Sequence, residues 1–148
     1  MHTLIVVSTM TGTAEMIAED VAAALQATNV KMRLAENLAS EEVRAAELVL
    51  VVSSTYGDGE VPEPAKRLFR ELENGPRLDA QRFGVVGLGD HSLYAPTFAK
   101  GGQRWDEMLE GKGAARLAPL LTIDVASAAD ISAPAIEWAR GALQQAEC

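Results

Sequence analysis

Cysteine is nearly absent from the chain: among 148 residues the one Cys is the last, Cys148. An internal disulfide is thereby excluded, and so is a metal centre built on cysteine thiolates. Histidine is almost as scarce, with His2 and His91 too isolated to suggest a metal site. Long apolar runs are missing too, since none approaches the roughly 18–20 residues that a membrane-spanning helix requires. The opening MHTLIVVSTMTG carries no basic segment ahead of an apolar core, as a secretory leader would, so the chain is expected to be cytoplasmic. Positive charge is in deficit: 13 Lys and Arg face 21 Asp and Glu, a formal net charge of −8. Nucleic acid and anionic membrane surfaces are bound through excess Lys and Arg, so this balance argues against both as partners. A basic protein or a small ligand remains open.

What is present suits one globular domain. Hydrophobic residues make up 48% and charged residues 23%, and the length matches one core, so the expectation is a single domain over residues 1–148. Short β-branched runs alternate with helical periodicity from end to end. Strands are expected at Thr3 to Ser8, Lys31 to Leu34, Leu48 to Ser53 and Arg82 to Leu88. A fifth lies within RLAPLLTIDV, interrupted or delayed by Pro119. The first helix is expected from about Thr13 to Thr28, with Ala14, Ile17, Val21, Ala24 and Leu25 on one face. A short helix follows near Ser40 to Ala45, and another after Pro62 and Pro64, stopped by Gly75 and Pro76. A helix through Trp105, Met108 and Leu109 should end at Gly113, and the last should begin near Ser132 as its cap. Trp105 and Trp138 are expected in the core.

Strict alternation implies an open parallel α/β sheet with helices on both faces, because right-handed crossovers leave few other arrangements. Such sheets bind ligands beyond the carboxyl ends of their strands. Three loops therefore matter. The first, STMTGTAE (Ser8 to Glu15), combines the hydroxyls of Ser8, Thr9, Thr11 and Thr13 with Gly12 at the start of a helix. A helix N-terminus offers free N–H groups and partial positive charge, so this loop can hold a phosphate without a cationic side chain. A triphosphate-binding loop would need the lysine of G-x-x-x-x-G-K-[ST], which is missing, so one phosphate is the better fit. The second loop, SSTYGDGE, sets Tyr56 among small residues, with Gly57 and Gly59 letting a flat ligand approach the main chain. The third, GLGDHSLYAPTF, holds Tyr94 and Phe98. Its Gly87-x-Gly89 lacks the third glycine and the following helix of a dinucleotide site. Together the loops suit a planar ring that bears one phosphate arm.

In order and spacing, TMTGTAE, STYGDGEVP and GLGDHSLY…TF resemble the flavodoxins. The likeness is to the FMN-binding domains of the cytochrome P450 reductase and sulfite reductase type and to the small MioC-like flavodoxins. The resemblance implies a flavodoxin-like five-stranded parallel sheet of order 2-1-3-4-5 and FMN as cofactor. Carried over by position, Thr9, Met10, Thr11, Gly12, Thr13 and Ala14 would wrap the phosphate, Met10 through its amide alone. Tyr56 would stack on one face of the ring. Ser54, Thr55, Gly57, Asp58 and Gly59 would line its edge, with the Gly57 carbonyl facing N5 of the reduced flavin. Leu88, Gly89 and Asp90 would approach the pyrimidine side, and either Tyr94 or Phe98 would cover the other face. Asp124 matches an acidic position near the ring, or caps a strand end.

The function this implies is an electron carrier that takes one or two electrons from an NAD(P)H-dependent flavodoxin reductase to an acceptor enzyme, acting as a monomer. Asp58, Glu60, Glu63 and Asp90 form an acidic rim expected to lower the potential and to steer basic partners. The alternative is a flavin-dependent NAD(P)H:quinone or nitro reductase on the same fold. A phospho-acceptor receiver shares the sheet order but needs carboxylates at strand ends that here are Ser8 and Ser53.

Overall fold

The structure is a computed structural model that describes residues 2–9, 12–25, 29–55, 60–89, 99–125 and 130–147. Its centre is a parallel sheet. Strands β1 (Thr3–Ser8) and β3 (Leu48–Ser53) are buried along their whole length, and β4 (Arg82–Gly89) is buried except at its ends. These are the near-continuous apolar runs that a sheet covered on both faces demands. The edge strand β2 (Val30–Leu34) alternates instead: Val30, Met32 and Leu34 are half-buried, while Lys31 and Arg33 are exposed. Charge on an edge strand discourages pairing with another chain.

The strand order is β2-β1-β3-β4, and every pairing is parallel. The last position is shared by two pieces, β5 (Ala115–Arg116) and β6 (Leu121–Asp124), both of which pair with β4. Pro119 lies between them and has no N–H to give to a ladder, which accounts for the break. The Trp138 indole donates to the Pro119 carbonyl at 2.8 Å and pins the interruption. The expected order 2-1-3-4-5 therefore holds, with a split fifth strand.

Helices cover both faces. On one side α1 (Thr13–Leu25) and the C-terminal helix α5 (Ala133–Glu147) pack against Ile5, Val7, Leu50, Val52 and Val86. Ala135, Ala139, Ala142 and Ala146 recur at helical spacing, giving α5 a small-residue face. On the other side α2 (Ser40–Arg44), α3 (Lys66–Asn74) and α4 (Lys100–Gly111) cover Leu4, Val6, Val49, Val51 and Val85. The alternation of neighbours between the two clusters is the period of two of a strand. Pro62 and Pro64 precede α3, where the turn Glu63–Ala65 is a 3₁₀ helix.

Helix ends differ in how they are closed. Gly113 follows α4 with φ +94°, and the Ala114 amide donates back to the Leu109 carbonyl at 3.1 Å, as expected for a glycine stop. Ser132 precedes α5 as expected, but its hydroxyl donates to Asp20 of α1 at 2.6 Å. The capping acceptor is instead Asp130, whose Oδ1 takes the amides of Ser132 and Ala133 at 3.0 and 3.1 Å. Trp105 is core, 1% exposed, and meets Phe69 edge-on at 5.0 Å. Trp138 is only half-buried, with its ring against Gly84.

Candidate functional site

The parallel register aligns Ser8 with Ser53 and Ser53 with Gly87, so β1, β3 and β4 end together on one edge of the sheet. The segments after them leave from that edge. The Ser54 amide donates to the Ser8 carbonyl at 2.8 Å, which carries the main-chain pairing one step beyond the strands.

The segment after β1 is shaped by Thr9 and Gly12. Gly12 has φ +93°, a left-handed conformation that a glycine adopts without strain, and among the described residues a Cβ placed there would meet nothing within 4 Å. Its carbonyl accepts the first hydrogen bond of α1, from Met16 at 3.0 Å, and its amide donates to Thr9 Oγ1 at 3.2 Å. Thr9 Oγ1 also lies 3.3 Å from Ser54 Oγ, tying this segment to the one after β3. The first turn of α1, Thr13–Glu15, carries N–H groups for which an α-helix has no internal acceptor, with the positive end of the helix dipole. A helix start of this kind can receive an anion through its amides.

The other two segments are joined through Thr55. Its hydroxyl donates to the Leu88 carbonyl of β4 at 3.0 Å and accepts from the Gly101 amide of α4 at 2.9 Å. Gly101 lies against the main chain of Ser54 and Thr55, and Gly102 against Gly87. Only residues without a Cβ allow so close an approach of helix to strand ends. Ala99, just before α4, takes φ 55°, an uncommon value for a residue with a side chain. Beneath, Ser8 and Ser53 are fully buried, the Ser53 hydroxyl donates to Ser8 Oγ at 3.1 Å, and the Trp105 indole donates to the same Ser8 oxygen at 3.1 Å.

Of the residues singled out in the sequence, the structure gathers Thr9, Gly12, Thr13, Ala14, Ser54, Thr55, Leu88, Gly89 and Asp124 on this edge. Ala14 and Leu88 are buried, so they offer main-chain atoms only. Gly89 pairs with Asp124, and the Gly89 carbonyl accepts the Val125 amide at 2.9 Å. Met10, Thr11, Tyr56, Gly57, Asp58, Gly59, Asp90, Tyr94 and Phe98 lie outside the described residues.

Sequence reasoning missed Ser53, Trp105, Gly101 and Gly102 as parts of the site's support. The adjacent glycines inside a helical segment were the available signal, because glycine there marks a close approach.

Part of the expected acidic rim is neutralised within the protein. Lys66 Nζ sits 2.8 Å from Glu60 and 3.0 Å from Glu63. The hydrogen bond from Lys66, followed by its charge, holds the Glu60 carboxyl below the ordinary value, and the two carboxylates push the Lys66 ammonium above its own. A shallow groove of about 370 Å³ beside them also has Phe69, Arg70 and Arg104 on its wall. This flank of the edge is therefore mixed in charge.

An open parallel sheet with helices on both faces and a helix start at the carboxyl ends of its strands is the architecture of the doubly wound α/β proteins, which bind ligands at that edge. Residues 5–138 match the flavodoxin family model, and the chain belongs to the flavodoxin family. It is 32% identical over 139 residues to a MioC homologue of Haemophilus influenzae, covering 93% of this chain and 94% of that protein. It is also 33% identical over 135 residues to the flavoprotein alpha-component of sulfite reductase (NADPH) of Neisseria meningitidis, matching 88% of this chain. The match takes in 21% of that relative, so the chain spans about a fifth of the length of the sulfite reductase flavoproteins. Among solved structures, a mutant flavodoxin of Pseudomonas aeruginosa superposes with a TM-score of 0.85 at 28% identity, each chain fully covered. Flavodoxin 2 of Bacillus cereus gives a TM-score of 0.86 at 26% identity, with 98% of this chain and 99% of that one covered. Among the described residues no helix is long and apolar enough to cross a membrane.

Proposed function

We propose that the chain is a single-domain, monomeric carrier that holds FMN at the carboxyl edge of its sheet and passes electrons from a reductase to an acceptor protein. One observation carries this reading: Thr9 Oγ1 holds the start of α1 through Gly12 and meets Ser54, so a phosphate-compatible helix start is joined to the segment expected beside the ring. The fit to a monophosphate rests on the donor set. Ser8 to Glu15 contains hydroxyls, amides and a left-handed glycine, with no Lys or Arg.

In this reading Thr9, Gly12, Thr13 and Ala14, with Met10 and Thr11, bind the phosphate. Ser54, Thr55 and Gly89, with Tyr56, Gly57, Asp58, Gly59, Leu88, Asp90, Tyr94, Phe98 and Asp124, orient the ring and screen it from water. Bound FMN supplies the one- or two-electron chemistry, as cofactors do when the protein performs no substrate chemistry of its own. A flavodoxin of Fusobacterium nucleatum, similar in fold at 19% identity, is known bound to flavin mononucleotide. The proposed partners are basic redox proteins in the cytoplasm, since a net charge of −8 attracts them over a range of about 10 Å at ordinary salt. Glu60 and Glu63, held on Lys66, contribute less to that attraction than their charge suggests.

The decisive experiment is a visible absorption spectrum of the purified protein with added FMN, followed by anaerobic reduction. Stoichiometric uptake with the bands of oxidised flavin is the expected outcome, and a protein that takes up no FMN ends the proposal. Oxidation of NADPH by the loaded protein alone would move the assignment to the quinone or nitro reductase class.

A further inference from the structure

The residue that ties the cofactor segments together is expected to make no contact with a cofactor at all. Trp105 sits in the second turn of α4, 1% exposed. A buried indole N–H needs an acceptor, and main-chain carbonyls usually supply one. Here the acceptor is the hydroxyl of Ser8, the last residue of β1, at 3.1 Å. That hydroxyl also accepts from Ser53, the last residue of β3, at 3.1 Å, and the Ser53 hydroxyl is 2.9 Å from the Ser54 carbonyl. The next residues outward are Thr9, which holds Gly12, and Ser54, which meets Thr9. One turn earlier in the same helix, the Gly101 amide engages Thr55, which holds the end of β4 through Leu88. Helix α4 thus reaches the ends of three strands by two anchors: a buried indole bound to Ser8, the residue before Thr9, and a glycine amide bound to Thr55 itself.

We propose that Trp105 is a positioning residue for flavin binding. Its indole N–H locks the ends of β1 and β3 in the geometry in which Thr9, Gly12 and Ser54 receive the cofactor. Preorganisation of this kind raises affinity because the ordering cost is met before the ligand arrives. The proposal rests on the FMN reading given above. A purely structural Trp105 would behave differently: its loss would lower the stability of the apoprotein and leave the affinity of the folded protein unchanged.

The test compares wild type, Trp105→Phe and Ser53→Ala by titrating apoprotein with FMN and following flavin fluorescence, after circular dichroism and urea unfolding have shown each protein fully folded under assay conditions. Trp105→Phe keeps the aromatic packing and removes the donor. Loss of a buried hydrogen bond of ordinary strength should weaken FMN binding about threefold to tenfold. Ser53→Ala removes the second donor to Ser8 and should weaken binding by a similar factor. If wild type takes up no FMN, the functional reading and this proposal fall together. If wild type binds FMN and Trp105→Phe binds it within a factor of two, the positioning role alone is refuted. Should Trp105→Phe not fold, Ser53→Ala decides: wild-type affinity in that variant overturns the proposal.

Discussion

Replacing Gly101 by alanine tests how α4 is seated on the sheet. A Cβ at this position would overlap the Ser54 carbonyl oxygen and approach the Ser54 carbonyl carbon and Thr55 Cα at 3.1 and 3.0 Å. All three atoms belong to the main chain just past β3, which cannot swing aside as a flexible side chain can. The helix must withdraw, and withdrawal stretches the 2.9 Å bond from the Gly101 amide to Thr55. Overpacking of this sort costs roughly 1–3 kcal/mol, and the lost hydrogen bond adds about 0.5–1.5 kcal/mol. A total of about 2–4 kcal/mol is a large part of a typical 5–15 kcal/mol stability. At this chain length it corresponds to a midpoint lowered by roughly 5–15 °C. Thermal and urea unfolding followed by circular dichroism would measure it, with Gly141→Ala as the internal comparison. Gly141 lies within α5 with nothing among the described residues within 4 Å of an added Cβ, so alanine there should stabilise by about 0.5–1 kcal/mol. Gly101→Ala within 0.5 kcal/mol of wild type would falsify the close seating of α4.

Thr9→Val removes the acceptor for the Gly12 amide and the contact to Ser54, so FMN affinity measured by fluorescence quenching should fall about tenfold; an unchanged value places the phosphate elsewhere. Arg116→Met strands Asp106, 7% exposed and held by Arg116 at 3.0 and 2.7 Å, and should cost about 1–3 kcal/mol in urea unfolding. Glu60 is held below its ordinary carboxyl value by the Lys66 hydrogen bond and charge, so the stability it adds is present above pH 4.5 and lost as pH falls through its lowered folded value. The difference in urea midpoint between wild type and Lys66→Met should accordingly be small at pH 7 and smaller still near pH 3; a difference that grows on acidification contradicts the pairing.

Much of the fold was legible because its elements are local patterns. TLIVVS and LVLVVS are short, β-branched and apolar without alternation, as a strand covered on both faces should be, and both are buried throughout. Pro119 announced the break in the fifth strand because a residue without an N–H cannot serve a ladder. Ser132 was a sound choice for a cap by residue type, yet the acceptor is Asp130, since a tertiary neighbour, Asp20, claims the serine hydroxyl. The acidic rim was read from composition, and the pairing of Glu60 and Glu63 with Lys66 depends on how the turn before α3 folds back.

The sequence by itself determined the alternation of strands and helices, the burial of the central strands and the charge, and it marked three segments as candidates for the cofactor site. Each of these follows from residue type and spacing along the chain. Only the tertiary structure decided what holds those segments in register. Ser8, Ser53 and Trp105 stand 45 and 52 residues apart along the sequence yet share one hydroxyl oxygen. No periodicity or motif encodes that contact, because it arises where the parallel register aligns two strand ends and two glycines let a helix descend onto them.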